Sequence, residues 1–456
     1  MVDAPLGPLG GDVRHEGKDC CVAARAIIET GFMCPPELPF MYPGDSFTVC
    51  APMSDVSPEL NNAVGHQAGF GPYDRKLDVV VVVQKSSSMC ARHNALADAL
   101  DHLATELDRL GVDVRVGVTS PDMGCGGDAT VHAAGGRFAT MADAPGVMAC
   151  QHRVVERCTV DADCDDALGD AGAWRCDSAG SSDVAERCTE NPNGSLNSRC
   201  ARLCTADAEC AALLGEPTAT CRAATGTCFV PARIDACPSP VVGGGRAWLA
   251  SGELDRLRCL AYVGEITPPC YQYSEGLAAA LAAIDPSGPN PEQAAGFLRD
   301  DAHLAVIVVN DRDDCSVAPG ESLDWRYHSR CALLGDTSEG GPLHPVVDLA
   351  RDLLVLKDQG REIFVAVAAG DSLAADEASR EAEREAFAAS KDSPWHCHHA
   401  TFICDGEHGV ADHGRRHLEF ARVFGANAVT ANICEDAPMD RLIERFLVML
   451  EGRLQP

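Results

Sequence analysis

Ser86, Ser87 and Ser88 place three hydroxyls directly behind a run of branched apolar residues, L-D-V-V-V-V-V from Leu77 to Val83. Hydroxyls at such a position can join carboxylates in holding a hard divalent cation, or accept hydrogen bonds from the N–H groups that open a following helix. A second set, Asp311, Asp313 and Asp314, follows the apolar run His303 to Val309 and ends in Cys315. Carboxylates there can bind Ca²⁺, cap a helix or line a solvated loop. Six histidines lie between His396 and His417. A catalytic zinc would need three of them to converge beside a general base such as Glu407. No H-E-x-x-H is present, and Gly414 weakens any helix that would put His413 and His417 on one face. Asp161, Asp163, Asp165 and Asp166 lack the glycine and the bidentate glutamate of an EF-hand loop and read as surface. No G-x-S-x-G elbow, P-loop or G-x-G-x-x-G fingerprint occurs.

The elements that must position these residues alternate. Short apolar runs at Leu77–Val83, His303–Val309 and Ile363–Ala368 read as strands buried on both faces. Val112, Val114, Val116 and Val118 line one face of another, and Ala428–Ile433 makes a short fifth. Leu96, Leu100, Leu103, Leu107 and Leu110 recur at helical spacing, with Gly111 as the terminating residue. Helices are also expected at Ala23–Thr30, Arg246–Val263, Ser274–Ile284 and His344–Leu356. A closing one is expected around Leu442, Ile443, Phe446, Leu447 and Leu450. Ser372 to Lys391, rich in Ala, Glu and Arg, reads as an exposed helix or excursion. Strands alternating with helices predict an α/β domain with a mostly parallel sheet covered on both faces.

Twenty-four cysteines set the compartment, and eleven of them fall between Cys150 and Cys237. That density marks a disulfide scaffold, and the chain has no C-x-x-C knuckle that would favour structural zinc. Disulfides at this number predict an extracytoplasmic location. The N-terminus carries no visible signal sequence, and no apolar run approaches the roughly 18 residues of a spanning helix. The net charge of −31 argues against a nucleic-acid partner. Residues 1–75 form a Cys/Pro/Gly-rich segment, 76–120 the first part of the α/β domain, and 241–456 the second. Between them, 121–240 reads as an inserted lobe with an internal repeat. C-T-V-D-A-D-C from Cys158 is echoed by C-T-A-D-A-E-C from Cys204, leading to Cys176 and Cys188 in the first copy and to Cys221 and Cys228 in the second. Neither copy has the apolar residues for a core, so cross-links must replace burial.

Four stretches carry a family resemblance: V-V-V-Q-K-S-S-S-M-C ending at Cys90, V-R-V-G-V-T-S-P-D-M-G from Val114, V-I-V-V-N-D-R-D-D-C-S from Val306, and F-A-R-V-F-G-A-N-A-V-T-A-N-I-C-E-D from Phe420. Together they resemble the von Willebrand factor type A (vWA)-like, cysteine-containing surface or lipoprotein family of myxobacteria and related deltaproteobacteria. The resemblance implies a doubly wound vWA-like sheet and a binding or adhesion role, not an enzyme. Its ligand would be a protein or cell-surface group held at the carboxyl edge of the sheet. The family's metal-ion-dependent adhesion site begins D-x-S-x-S. Ser86 and Ser88 match its serines, Asp311 its later aspartate, and Thr267 is the candidate for its threonine. Gln84 stands where the family has aspartate, so the site reads as degenerate, with no resident Mg²⁺ expected. Lys85 could partner Asp311 in place of the metal; the alternative is that Lys85 points into solvent and Asp311 caps a helix. The alternatives are a metal-dependent hydrolase using the loop from His396 to His417, and a purely structural envelope protein.

Cys315 and Cys331 lie in one excursion between a strand and a helix and are expected to be bonded. The same logic pairs Cys259 with Cys270 and Cys397 with Cys404. Cys90 and Cys434 both follow buried strands at the same sheet edge and are expected to be near each other.

Overall fold

In a computed structural model the side chains are described for most of residues 75–85, 89–123, 135–143, 160–168, 172–178, 198–214, 217–223, 226–264, 274–323, 331, 334–357, 362–389, 403–406 and 409–453. Residues 26–28, 40–43 and 48–51 are described as backbone. Six strands form one mixed sheet: β1 (Lys76–Val83), β2 (Asp113–Thr119), β3 (Leu249–Ala250), β4 (His303–Val309), β5 (Ile363–Ala369) and β6 (Ala428–Asn432). Their order is β3-β2-β1-β4-β5-β6, parallel throughout except for the antiparallel edge strand β3. The chain builds outward from β1 on one side and then restarts at β4 on the other. The carboxyl ends of β1 and β4 therefore flank the point where strand order reverses, which is where α/β sheets form a crevice.

Seven helices accompany these strands: α1 (Cys90–Arg109), α2 (Gly276–Ile284), α3 (Pro291–Phe297), α4 (Val346–Leu356), α5 (Glu377–Ala389), α6 (Arg415–Val423) and α7 (Pro438–Arg453). Alternation along β1 divides the core. Val79, Val81 and Val83 pack with Leu96, Leu100, Leu103 and Leu107 of α1 and with Leu442, Phe446 and Leu450 of α7. Val80 and Val82 face Leu277 and Ala280 of α2, Leu349 and Leu353 of α4, and Phe420 of α6. Helices thus cover both faces, which is why the strands carry apolar residues at consecutive positions. Gly111 ends α1 at φ 65°, as its position in the sequence predicts.

Two expected helices are different structures. Ala26–Ile28 is a strand pairing antiparallel with Thr48–Ala51, so non-local pairing overrides local helix preference. In the segment 246–263, Leu249–Ala250 joins the sheet edge as β3, and a 3₁₀ helix follows at Leu254–Ala261. Gly252, at φ 86°, turns the chain between them. Ser251 Oγ accepts from the Val114 N–H of β2 at 2.7 Å, holding the edge in register. The excursion after β5 is helical as α5, and most of its surface is exposed.

The ends of the inserted region pack on the α/β body. Phe138 lies in the second core, edge-on to Phe297 with ring centroids 4.8 Å apart, and its ring sits where a side chain on Gly117 would begin. Further along, Cys164, Trp174 and Cys200 form one small cluster, and Cys204, Cys210, Ala219 and Cys228 another. Among the described residues, three cysteines (Cys204, Cys210 and Cys221) gather closely enough to suggest a metal, but Cys204–Cys221 and Cys210–Cys228 are disulfides. In the first copy Cys200, not Cys188, closes the bond to the helix cysteine: Cys164–Cys200 matches Cys210–Cys228.

Cys315–Cys331 is formed, with Cα atoms 5.2 Å apart. Two other expected pairings are corrected. Cys259 bonds Cys237 rather than Cys270, tying the exit of the insert to the 3₁₀ helix. Cys404 bonds Cys434 rather than Cys397. Cys404 sits in a hairpin, Cys404–Gly406 with Gly409–Ala411, and the bond joins it to the chain leaving β6. In both cases spatial neighbours on different elements win over neighbours in sequence. The expected nearness of Cys90 to Cys434 falls on a side chain outside the described ones, that of Cys90.

Candidate functional site

The carboxyl ends of β1 and β4 meet through the Gln84 N–H, which donates to Val309 O at 3.0 Å. From this junction Gln84 and Lys85 lead towards α1, and Asn310 to Ser316 towards the next excursion. Gln84 is buried, and its Oε1 accepts from the Lys85 N–H at 2.9 Å. Asp311 is 2% exposed and is met by Arg92 from the first turn of α1, Nη1 to Oδ2 at 3.4 Å, with Arg92 itself 3% exposed. Burial lowers the Arg92 pKa, and Asp311 acts in the opposite direction. The sequence leaves Lys85 either as the partner of Asp311 or as a solvent-facing cation; among the described residues the ion pair is with Arg92. Arg92 takes that place because the α1 backbone delivers its long side chain to the end of β4.

Asp314 holds the opening of α2. Its Oδ1 accepts from the Leu277 N–H at 3.0 Å and the Ser316 hydroxyl at 2.8 Å, while Oδ2 accepts from Arg416 at 3.1 Å. Ser316 Oγ accepts from the Ala278 N–H at 2.9 Å. A carboxylate on a helix N-terminus compensates the unpaired N–H groups there. Asp313 accepts from the Arg416 N–H at 2.8 Å and lies 3.8 Å from His417 Nδ1. Burial pushes the Asp313 carboxyl up to about 7 and holds the His417 imidazole down at about 4. Glu275, just ahead of α2, is pushed up to about 8 by burial, reinforced by Asp314 and Asp122. The acidic run after β4 is thus a buried structural network joining α2, α6 and β4.

Ser86, Ser88 and Thr267 lie outside the described residues. Asp311 alone of the expected oxygen ligands is described. A guanidinium already faces its carboxylate, and Gln84 supplies an amide where a carboxylate would be required.

The histidine-rich stretch is described at His413 and His417. His413 precedes α6, placed edge-on to Phe387 with Nε2 3.7 Å from Asp371. His417 is inside α6 and fully buried. The two do not share a helix face, because Gly414 is the helix N-cap. His396, Glu407 and His408 lie outside the described residues. Asp161, Asp163 and Asp165 accept backbone N–H bonds from Cys176, Val160 and Gly172, which gives them a local structural role.

Sequence reasoning missed Arg92, His93, Glu275 and Arg416. Arg92 and His93 sit one turn ahead of the leucine stripe, at positions that helical periodicity leaves undecided. His93 approaches Gln84 O at 3.4 Å, and its pKa is held down to about 4 by burial. The one available signal was the C-A-R-H-N series, three polar residues at the start of an otherwise amphipathic helix. Comparison of the sequence with protein-family models and with curated proteins returned no match. No helix among the described residues is long and apolar enough to cross a membrane.

Proposed function

We propose that this chain is an extracytoplasmic binding protein with a vWA-like α/β domain. It engages a protein or cell-surface ligand at the carboxyl edge of its sheet without a divalent cation. The observation that carries the reading is the buried Arg92–Asp311 ion pair at the strand-order reversal. Asp311 is the residue that matches the family's later aspartate, and a guanidinium stands on it as an internal cation. Gln84 in place of the leading aspartate lowers the negative charge by one, so one guanidinium balances what remains. A mostly parallel sheet with helices on both faces is the arrangement the resemblance implies. Six disulfides among the described residues support an oxidising compartment.

Calorimetric titration with Mg²⁺, Mn²⁺ and Ca²⁺ tests the site. The native chain is expected to show no saturable binding. Gln84→Asp with Arg92→Ala restores a carboxylate and removes the internal cation, and is expected to gain binding. Micromolar affinity in the native chain that is lost in Asp311→Asn would overturn the reading.

A further inference from the structure

The two cysteine-bearing copies in the insert are wired alike, and the wiring identifies a bond. In the second copy a helix, Asp207–Leu214, is followed by a hairpin of Thr220–Arg222 and Thr227–Phe229 in which Cys221 stands opposite Cys228. The helix cysteine, Cys210, bonds Cys228, and Cys204, just ahead of the helix, bonds Cys221. In the first copy the helix is Asp161–Leu168, and the hairpin pairs Trp174–Ser178 with Ser198–Arg202, with Cys176 opposite Cys200. The helix cysteine, Cys164, bonds Cys200. A further contact repeats: Asp161 Oδ1 accepts from the Cys176 N–H at 2.8 Å, and Asp207 Oδ1 from the Cys221 N–H at 2.8 Å. These aspartates occupy the same place, three residues after Cys158 and Cys204 respectively.

Cys176 is disulfide-bonded, and its partner is none of the other described cysteines, which pair among themselves. We propose that Cys176 is bonded to Cys158, completing in the first copy the pattern that Cys204–Cys221 and Cys210–Cys228 make in the second. The aspartate contact fixes the hairpin strand against the start of the helix. Three residues of chain span at most about 11 Å, and the described residue three positions after Cys158, Asp161, is the one bonded to the Cys176 N–H. In the second copy the same arrangement gives a Cα–Cα distance of 5.7 Å, inside the range a disulfide requires. Cys188 has no counterpart, because the strands of the second copy are joined by residues 223–226 alone.

The bond forms by thiol–disulfide exchange with the oxidised dithiol of a disulfide-donating oxidoreductase. The Cys158 and Cys176 thiols lose two protons and two electrons, one S–S bond forms between them, and the donor's S–S bond is reduced to two thiols.

Arginines make the test direct. Trypsin cuts after Arg157, Arg175, Arg187, Arg199 and Arg202, which isolates peptides 158–175, 176–187, 188–199 and 200–202. Digestion of the full chain, alkylated without reduction, is expected to give one cross-linked cluster of 158–175, 176–187 and 200–202 that separates on reduction. Further cleavage ahead of Asp161 parts Cys158 from Cys164, and residues 158–160 are expected to keep the link to Cys176. Cys188→Ser is expected to leave the cluster intact. Recovery of 176–187 joined to 188–199 or to any other cysteine peptide, or alkylated as a free thiol, would overturn the assignment.

Discussion

Arg92→Met removes the guanidinium and leaves the Asp311 carboxylate buried without it. Two unit charges 3.4 Å apart attract by about 5 kcal/mol at an effective dielectric near 20. Breaking a buried pair by removing one partner costs about 3–5 kcal/mol. Urea unfolding followed by circular dichroism, with the disulfides intact, should show a loss of that order at pH 7. Combining Arg92→Met with Asp311→Leu removes both charges and should recover most of the stability at pH 7, because apolar replacement of a whole buried pair is often neutral. A single variant within 1 kcal/mol of native at pH 7, or a double variant no better than the single, would refute the pairing argument.

Gly117→Val would drive a side chain into the Phe138 ring, whose atoms lie 2.5 Å from the first added carbon. A loss of about 1–3 kcal/mol is expected, and adding Phe138→Ala should make the valine cheaper than it is alone, read by thermal melts. Glu275 has a folded pKa of about 8 against an ordinary value of 4.5, so its unfavourable contribution sets in above pH 4.5 and grows to about pH 8. Glu275→Gln should accordingly be close to neutral at pH 5 and more stable than native at pH 8 in the same urea assay. Cys315→Ser with Cys331→Ser opens a link of sequence separation 16 and should cost about 3 kcal/mol in the chain-entropy model, measured as a shift in the unfolding midpoint. An unchanged midpoint would mean that the excursion is held by its other contacts.

Period and run length made the sheet legible in the chain itself. Five consecutive valines can be buried only where both faces are covered, and leucines four and three apart can form only one stripe, so β1, β4, β5 and α1 were readable from residue order. The repeat of Cys158 and Cys204 was readable too, because it is a property of spacing. Tertiary structure decided what depends on distance between remote positions. Arg246–Val263 looks helical by local preference, yet pairing with β2 and the turn at Gly252 make its start an edge strand. Cys259 and Cys404 have nearer cysteines in sequence but bond the ones their elements are packed beside. Asp311 was visible as a carboxylate following a buried strand, whereas its burial and its cation were not. Lys85 is adjacent to the first strand, but Arg92 lies two helical residues further along from Cys90, and only the docking of α1 against β4 brings its guanidinium to the carboxylate. Periodicity states which face a residue occupies. Which remote charge that face will meet is set by how the helices settle on the sheet.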